Sequence, residues 1–151
     1  MARAILSLMA LANGLYHAVP AWSQDEGKAL YNRHCAVCHQ NSGAGSKGRV
    51  PPLVGSQWDT LGTTPAYPVT VILNGLEGEI TVEGKRFDGS MPSFSGQLTD
   101  VQVAQVVNYL SYLQRRPSAP AATEQDVAAA RPDKPNPRKS LTLRRSLLTS
   151  R

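Results

Sequence analysis

The stretch Cys35-Ala36-Val37-Cys38-His39 decides how this chain is organised. The spacing C-x-x-C-H is typical of a covalent attachment site for c-type haem. Two thiols three positions apart can form thioethers with the two vinyl groups of one porphyrin, and the adjacent imidazole can then bind the iron. Cys35 and Cys38 are the only cysteines, so the chain can carry one haem c and cannot have a disulfide framework.

Residues 1–23 have the layout of a secretory signal peptide, with a basic start, an apolar run and small residues before a cleavage site. Arg3 provides the charge, residues 4–19 are mostly apolar, and Ala21 and Ser23 are the small residues. The run is short for a membrane span of ~20 residues, which favours cleavage over a retained anchor. Because c-type haem is attached outside the bacterial cytoplasm, signal and motif together predict a periplasmic protein.

The formal charge of +5 is unevenly distributed along the chain. Residues 24–114 carry six basic and eight acidic side chains, whereas residues 115–151 carry nine basic and three acidic ones. The segment 117–151 is rich in proline, alanine and arginine, a composition typical of disorder. We therefore predict a folded domain over 24–116 and a disordered basic tail over 117–151. An alternative role for the tail is electrostatic contact with an anionic membrane or an acidic partner.

Periodicity predicts a mainly helical domain. Acidic residues open a helix over 25–34, where they suit the positive end of the helix dipole. A second helix with one apolar stripe extends from Thr64-Pro65 to Asn74-Gly75. Alternating residues over 79–88 predict a small hairpin. The capping box Thr99-x-x-Gln102 opens a final helix that ends by Pro117.

Met91 is the best candidate for a second axial ligand of the iron. It would be the only methionine left after signal removal, and it lies in a predicted extended loop before Pro92. A thioether ligand favours ferrous iron and raises the reduction potential relative to a second histidine. His34 is the competing candidate, but it is too close in sequence to Cys35 to reach the opposite face of the same haem.

This order of motifs over residues 25–114 resembles class I monohaem cytochromes c of the bacterial periplasm. The resemblance rests on C-x-x-C-H, a glycine-rich loop, Pro-Pro-Leu, and Gly-x-Met-Pro between helices. It implies an all-α fold of about four helices around one covalently bound haem, with a minor hairpin before the Met-ligand loop. It also implies that the terminal helices cross closely at Gly27 and Tyr31 on one side and Tyr109 on the other.

The same resemblance implies further haem contacts. The carbonyl of Pro52 is expected to accept a hydrogen bond from the second nitrogen of His39, which would orient the imidazole. Leu53 is expected to pack on the ring. Trp58 either donates its N–H to a haem propionate or is an ordinary core tryptophan.

These features predict a periplasmic single-electron carrier rather than an enzyme, because His39 and Met91 would fill both axial positions. The partners would be dehydrogenases, reductases or oxidases, and nucleic acid is not expected. The alternative is a dedicated cytochrome c subunit of a periplasmic dehydrogenase or reductase complex. A thiol–disulfide enzyme using the two cysteines lacks the surrounding βαβ pattern, and a peroxidase or gas sensor would need Met91 unbound.

Overall fold

A computed structural model describes residues 24–150, so the predicted signal peptide lies outside the described residues. This part of the chain contains seven helices, two of them only four residues long, and one two-stranded sheet, instead of about four helices. The elements are α1 (Gln24–His34), α2 (Ala36–His39), α3 (Trp58–Leu61), α4 (Ala66–Asn74), β1 (Leu76–Val82), β2 (Lys85–Met91), α5 (Asp100–Leu113), α6 (Glu124–Ala130) and α7 (Pro137–Thr149).

Helices α1 and α5 cross at the glycine that the sequence singles out. A Cβ atom added to Gly27 would lie 2.9 Å from Cβ of Tyr109, so only glycine allows the backbones to approach this closely. One turn further along α1, the ring of Tyr31 lies 5.4 Å from that of Tyr109, centroid to centroid. The predicted crossing is therefore confirmed by the geometry.

The helix boundaries follow local capping chemistry. Thr99 and Gln102 make both hydrogen bonds of the predicted capping box at the start of α5. Helix α4 begins after Pro65, which fixes its own φ in the helical region, and ends at Gly75 with φ of 74°. Most of the predicted stripe residues are buried in the core, whereas Leu113 is partly buried and Leu76 belongs to the strand that follows α4.

The hairpin is longer than predicted. Antiparallel pairing extends from Leu76 opposite Met91 to Val82 opposite Lys85. The tight turn has positive φ at Glu83 and Gly84, which suits the twist of a two-residue hairpin. Met91 is thus the last residue of β2 rather than part of the loop, because backbone pairing continues past the alternating stretch.

The prediction of a disordered tail over 117–151 is wrong for most of that segment. Residues 124–130 and 137–149 form α6 and α7. Val127 of α6 and Ser140 of α7 are completely buried. Asn108 of α5 holds the chain before α6 by accepting from the Ala122 N–H at 2.8 Å and donating to the Ala122 carbonyl at 3.0 Å.

The prolines that suggested disorder lie outside the helix interiors. Pro132 and Pro135 fall between α6 and α7, and Pro137 is the first residue of α7, where a missing N–H costs nothing. A second capping box begins α6, with Thr123 and Asp126 bonded reciprocally. Helices α6 and α7 therefore form, despite a composition typical of disorder, because their first turns are capped by side chains and one face of each is buried.

Within residues 24–150 the core consists of three apolar clusters. The main cluster joins α1, α4, α5 and α6, and includes Val127. Trp58, Leu61 and Tyr67 form a second cluster, against which Leu143 and Leu147 of α7 pack. The third lies on the hairpin and receives Leu141 of the same helix. Over residues 24–150, no helix has the length and apolar character needed to cross a membrane.

Candidate cofactor site

One cavity of about 270 Å³ brings the predicted site residues together. Its walls come from α1, α2, the loop before α3, α3 itself, α4, both strands, α5 and α7. All seven predicted haem-contacting residues line it: Cys35, Cys38, His39, Pro52, Leu53, Trp58 and Met91. The chain therefore gathers thiols, an imidazole and a thioether from distant segments around one space.

His39 is the last residue of α2 and is 7% exposed. Its Nδ1 lies 3.1 Å from the carbonyl oxygen of Pro51, which can only accept, so Nδ1 carries the proton. Burial lowers the pKa of His39 and favours the neutral imidazole, although the bond to Pro51 opposes this. Nε2 is then left with a free lone pair, as a metal-ligating imidazole requires.

The structure corrects which proline carbonyl orients His39. The family resemblance implies Pro52, but the acceptor is Pro51, and the carbonyl of Pro52 accepts from Nε2 of Gln57 at 3.0 Å. The reason is the tight turn before the two prolines, where Gly45 packs directly against the Pro51 carbonyl. Leu53 follows in the same loop and contacts two of the core clusters.

The two cysteines sit on one short helical turn. The Cys35 N–H donates to the Tyr31 carbonyl at 2.8 Å, and the Cys35 carbonyl accepts from the N–H of His39 at 2.9 Å. Cys35 is half-buried, Cys38 is exposed, and the two do not form a disulfide with each other. Burial raises the pKa of the Cys35 thiol to about 11. A thiol–disulfide enzyme needs a lowered thiol pKa, so this environment disfavours that alternative.

Met91 reaches the cavity from the end of β2 and is partly buried. Its strand partner Leu76 also lines the cavity. His34, the competing ligand candidate, lines the cavity too, but its ring packs edge-on against Phe94 at 6.1 Å. Met91 therefore comes from an element distant in sequence from the C-x-x-C-H motif, whereas His34 adjoins that motif.

Trp58 presents a buried donor without an acceptor. The residue is 5% exposed, and within residues 24–150 its Nε1 has no hydrogen-bond partner. A buried polar group left unpaired costs about 1–3 kcal/mol. Because Trp58 lines the cavity, a carboxylate bound there could accept this bond, and haem carries two propionates. The cavity, its thiols and imidazole, and this unpaired N–H fit haem c.

Sequence reasoning missed a polar group that α7 delivers to the cavity. Arg144 is 4% exposed and lines the cavity with Gln57 and Tyr67. One of its nitrogens donates to Oε1 of Gln57 at 2.8 Å and to the Thr81 carbonyl at 3.1 Å, and another to the Tyr67 hydroxyl at 3.4 Å. Burial raises the pKa of Tyr67, and Arg144 opposes this. The sequence signal for this helix was the amphipathic stretch from Leu141 to Leu148, in which leucines flank Arg144 and Arg145.

Comparison with known proteins agrees with this geometry. The family model described as Cytochrome c matches residues 24–114. Cytochrome c-552 of Thermus thermophilus is 39% identical over 93 residues, which is 60% of this chain and 62% of that protein. The gluconate 2-dehydrogenase cytochrome c subunit of Pantoea cypripedii is 31% identical over 117 residues, or 74% of this chain and 26% of that subunit.

Among solved structures, the c-type cytochrome XoxG from Methylobacterium extorquens AM1 aligns with a TM-score of 0.40 and 21% identity, over 83% of this chain and 67% of that one. The chain spans less than two thirds of the cytochrome c-552 that it matches. The family match nevertheless covers more than half of the chain and contains every predicted haem-contacting residue. The chain therefore belongs to the cytochrome c family.

Proposed function

We propose that this chain is an exported single-electron carrier with one haem c. Cys35 and Cys38 would hold the group through thioethers, and His39 and Met91 would be the axial ligands. The observation that carries the proposal is the meeting of these four side chains at one cavity. When bound, haem supplies an iron that alternates between ferric and ferrous states.

The residues of the chain would set the conditions for electron transfer. The bond from His39 to Pro51 fixes the imidazole tautomer and leaves Nε2 available. The walls from α4, α5 and the hairpin are mostly apolar and would surround the ring with low-polarity side chains. At the rim, Val37 is 83% exposed although it lines the cavity, so the edge beside the cysteines is open to a docking protein.

The proposal is tested on protein matured in a bacterial host that attaches c-type haem. We expect covalent haem in the periplasmic fraction and a weak Met-to-iron charge-transfer band at the red end of the ferric spectrum. Met91→Ala should abolish that band and allow the reduced protein to bind CO, whereas Met91→Leu distinguishes ligand loss from cavity formation. Haem lost under denaturing conditions, or a band unchanged in Met91→Ala, would contradict the ligand set.

A second candidate is a dedicated cytochrome subunit of a periplasmic dehydrogenase or reductase. It is favoured by the match to the gluconate 2-dehydrogenase cytochrome c subunit, which extends over 74% of this chain. The chemistry at the cavity would be the same, but the protein would have one fixed partner. Affinity purification from the native source at low salt separates the two, because a subunit elutes with a stoichiometric partner and a carrier elutes alone.

The basic C-terminal segment suits docking to an acidic redox partner. Among residues 115–150 its exposed cationic side chains include Arg115, Lys134, Arg138 and Lys139. Charge reversal at Lys134 and Lys139 should slow association at low salt and have little effect at high salt, where the attraction between exposed charges is screened. Binding to vesicles containing anionic lipid, if lost in the same variant, would instead identify a membrane surface.

A further inference from the structure

Arg144 is a buried cation that has only neutral partners. It has no carboxylate within 4.0 Å among residues 24–150, where the ion pairs are Arg86–Glu79, Arg116–Asp59 and Arg131–Asp100. Its three hydrogen-bond acceptors are an amide oxygen, a backbone carbonyl and a phenol. Burying an unpaired charge is unfavourable unless an anion joins it.

The surroundings of Arg144 indicate where that anion would lie. The guanidinium lines the cavity together with Trp58, whose buried Nε1 also lacks a partner within the described part of the chain. Helix α7 packs against α3 through Leu143 and Leu147, which contact the cluster containing Trp58 and Tyr67. The same cavity therefore presents a guanidinium and an indole N–H, two donors whose chemistry suits a bound carboxylate.

Resting on the proposed function, we propose that Arg144 pairs with a haem propionate, so that α7 forms part of the cofactor site. The family match ends at residue 114, so this contact comes from a segment outside it. Gln57 connects Arg144 to the loop that orients His39. Its side chain accepts a hydrogen bond from Arg144 and donates one to the Pro52 carbonyl. Pro52 follows Pro51, whose carbonyl is bonded to His39. Arg144 is then a cofactor-binding residue, and α7 a wall of the pocket.

The pairing has two consequences for the iron. A cation near the haem disfavours the more positive ferric state, so Arg144 raises the reduction potential. It also holds the buried propionate ionised in both oxidation states. Without it, desolvation raises the pKa of that propionate, and reduction is accompanied by proton uptake, which makes the potential fall as pH rises.

The test measures the midpoint potential of the haem-loaded full chain as a function of pH. Arg144→Gln should lower the equilibrium constant for reduction about tenfold, which is 59 mV for one electron, and should add a pH dependence between about pH 5 and about pH 8. Arg144→Lys, which keeps the charge, should shift the potential less. Arg145→Gln makes the same charge change at the adjacent exposed position and should match the parent protein.

A potential and pH profile in Arg144→Gln equal to those of Arg145→Gln would overturn the inference. If Arg144→Gln does not mature, infrared spectra of the parent protein with labelled propionates decide. At about pH 5 at most one protonated carboxylic acid is expected, and two would overturn the pairing. A parent protein without attached haem would refute both proposals, whereas attached haem with an Arg144-independent potential would refute only this one.

Discussion

Nδ1 of His39 lies 3.1 Å from the carbonyl oxygen of Pro51, twelve residues further along a loop that folds back on the C-x-x-C-H motif. The loop is closed at its base, because the Gly45 N–H donates to the His39 carbonyl at 2.9 Å. A bridge between Ser46 and Val50 tightens the turn further. The orientation of the imidazole therefore depends on backbone conformation at a few loop residues.

Gly45→Ala should disturb the hydrogen bond between His39 and the Pro51 carbonyl much more than Gly48→Ala does. Both glycines have positive φ, 67° and 73°, so alanine costs about 1–2 kcal/mol at either position. A Cβ on Gly45 would also clash with the Val50 carbonyl oxygen and lie 2.8 Å from the Pro51 oxygen, whereas a Cβ on Gly48 meets nothing within 4 Å. We expect Gly45→Ala to lower the free energy of unfolding by about 3 kcal/mol or more.

The measurement is denaturant unfolding of the haem-loaded protein, together with the visible spectrum. Gly48→Ala serves as the control for backbone strain alone, and its spectrum should equal that of the parent. Equal losses of stability in the two variants would show that the Val50 and Pro51 carbonyls do not limit this turn.

The sequence was informative wherever chemistry is local. The haem motif and the Thr99 capping box each depend on residues within one turn of the chain. The helix crossing depends on the absence of a Cβ atom at Gly27. The Pro51 carbonyl was missed because Pro51 and Pro52 are chemically equivalent in the sequence. Only the turn at Gly45 decides between them.

The extent and packing of the C-terminal helices were missed for a different reason. Proline content predicts disorder only when the prolines interrupt helices, and here they lie between them or at a first turn. The caps at Thr123 and Asn136 are visible in the sequence, but they do not reveal a partner for the buried face. Arg144 could not be assigned to the cavity because its partners lie at least 63 residues away.

Val127→Ala should measurably destabilise the protein, because α6 is part of the core. Val127 is completely buried in the main apolar cluster. Removing two methyl groups and leaving a small cavity should cost about 2 kcal/mol. Leu148→Ala is the matched control near the end of α7, where the side chain is 39% exposed, and should change stability by less than about 0.5 kcal/mol. No difference between the two variants in thermal unfolding would mean that α6 does not pack on α5 in solution.

Acid should remove the contribution of the α6 capping box to the free energy of unfolding. Hydrogen bonds from the side chain and backbone of Thr123 lower the pKa of Asp126. A carboxylate with a lowered folded-state pKa stabilises the protein above its unfolded pKa of about 3.9 and loses this effect as pH falls through the folded value. The stability difference between the parent protein and Asp126→Asn should therefore shrink from about pH 6 to about pH 3.

Chemical unfolding at a series of pH values gives this difference. Glu124→Gln removes the same charge from the first turn of α6 and serves as the control, because the carboxylate there makes no capping bond. A parallel pH dependence in the two variants would attribute the effect to net charge near the helix start rather than to the cap.

Without haem the three apolar clusters should not hold together. The cavity is lined by members of each one, such as Val106 of the main cluster, Tyr67 of the second and Phe87 of the hairpin cluster. Without the apolar cofactor, the residues that line the cavity lose their contacts with it, and Arg144 stays buried without an anion. We expect the double variant Cys35→Ala, Cys38→Ala, purified without haem, to lack cooperative thermal unfolding by near-ultraviolet circular dichroism, and its amides to exchange rapidly with solvent. The haem-loaded parent is the control. A haem-free variant that unfolds cooperatively, with protected amides in α4 and α5, would show instead that the polypeptide forms its core before the cofactor is attached.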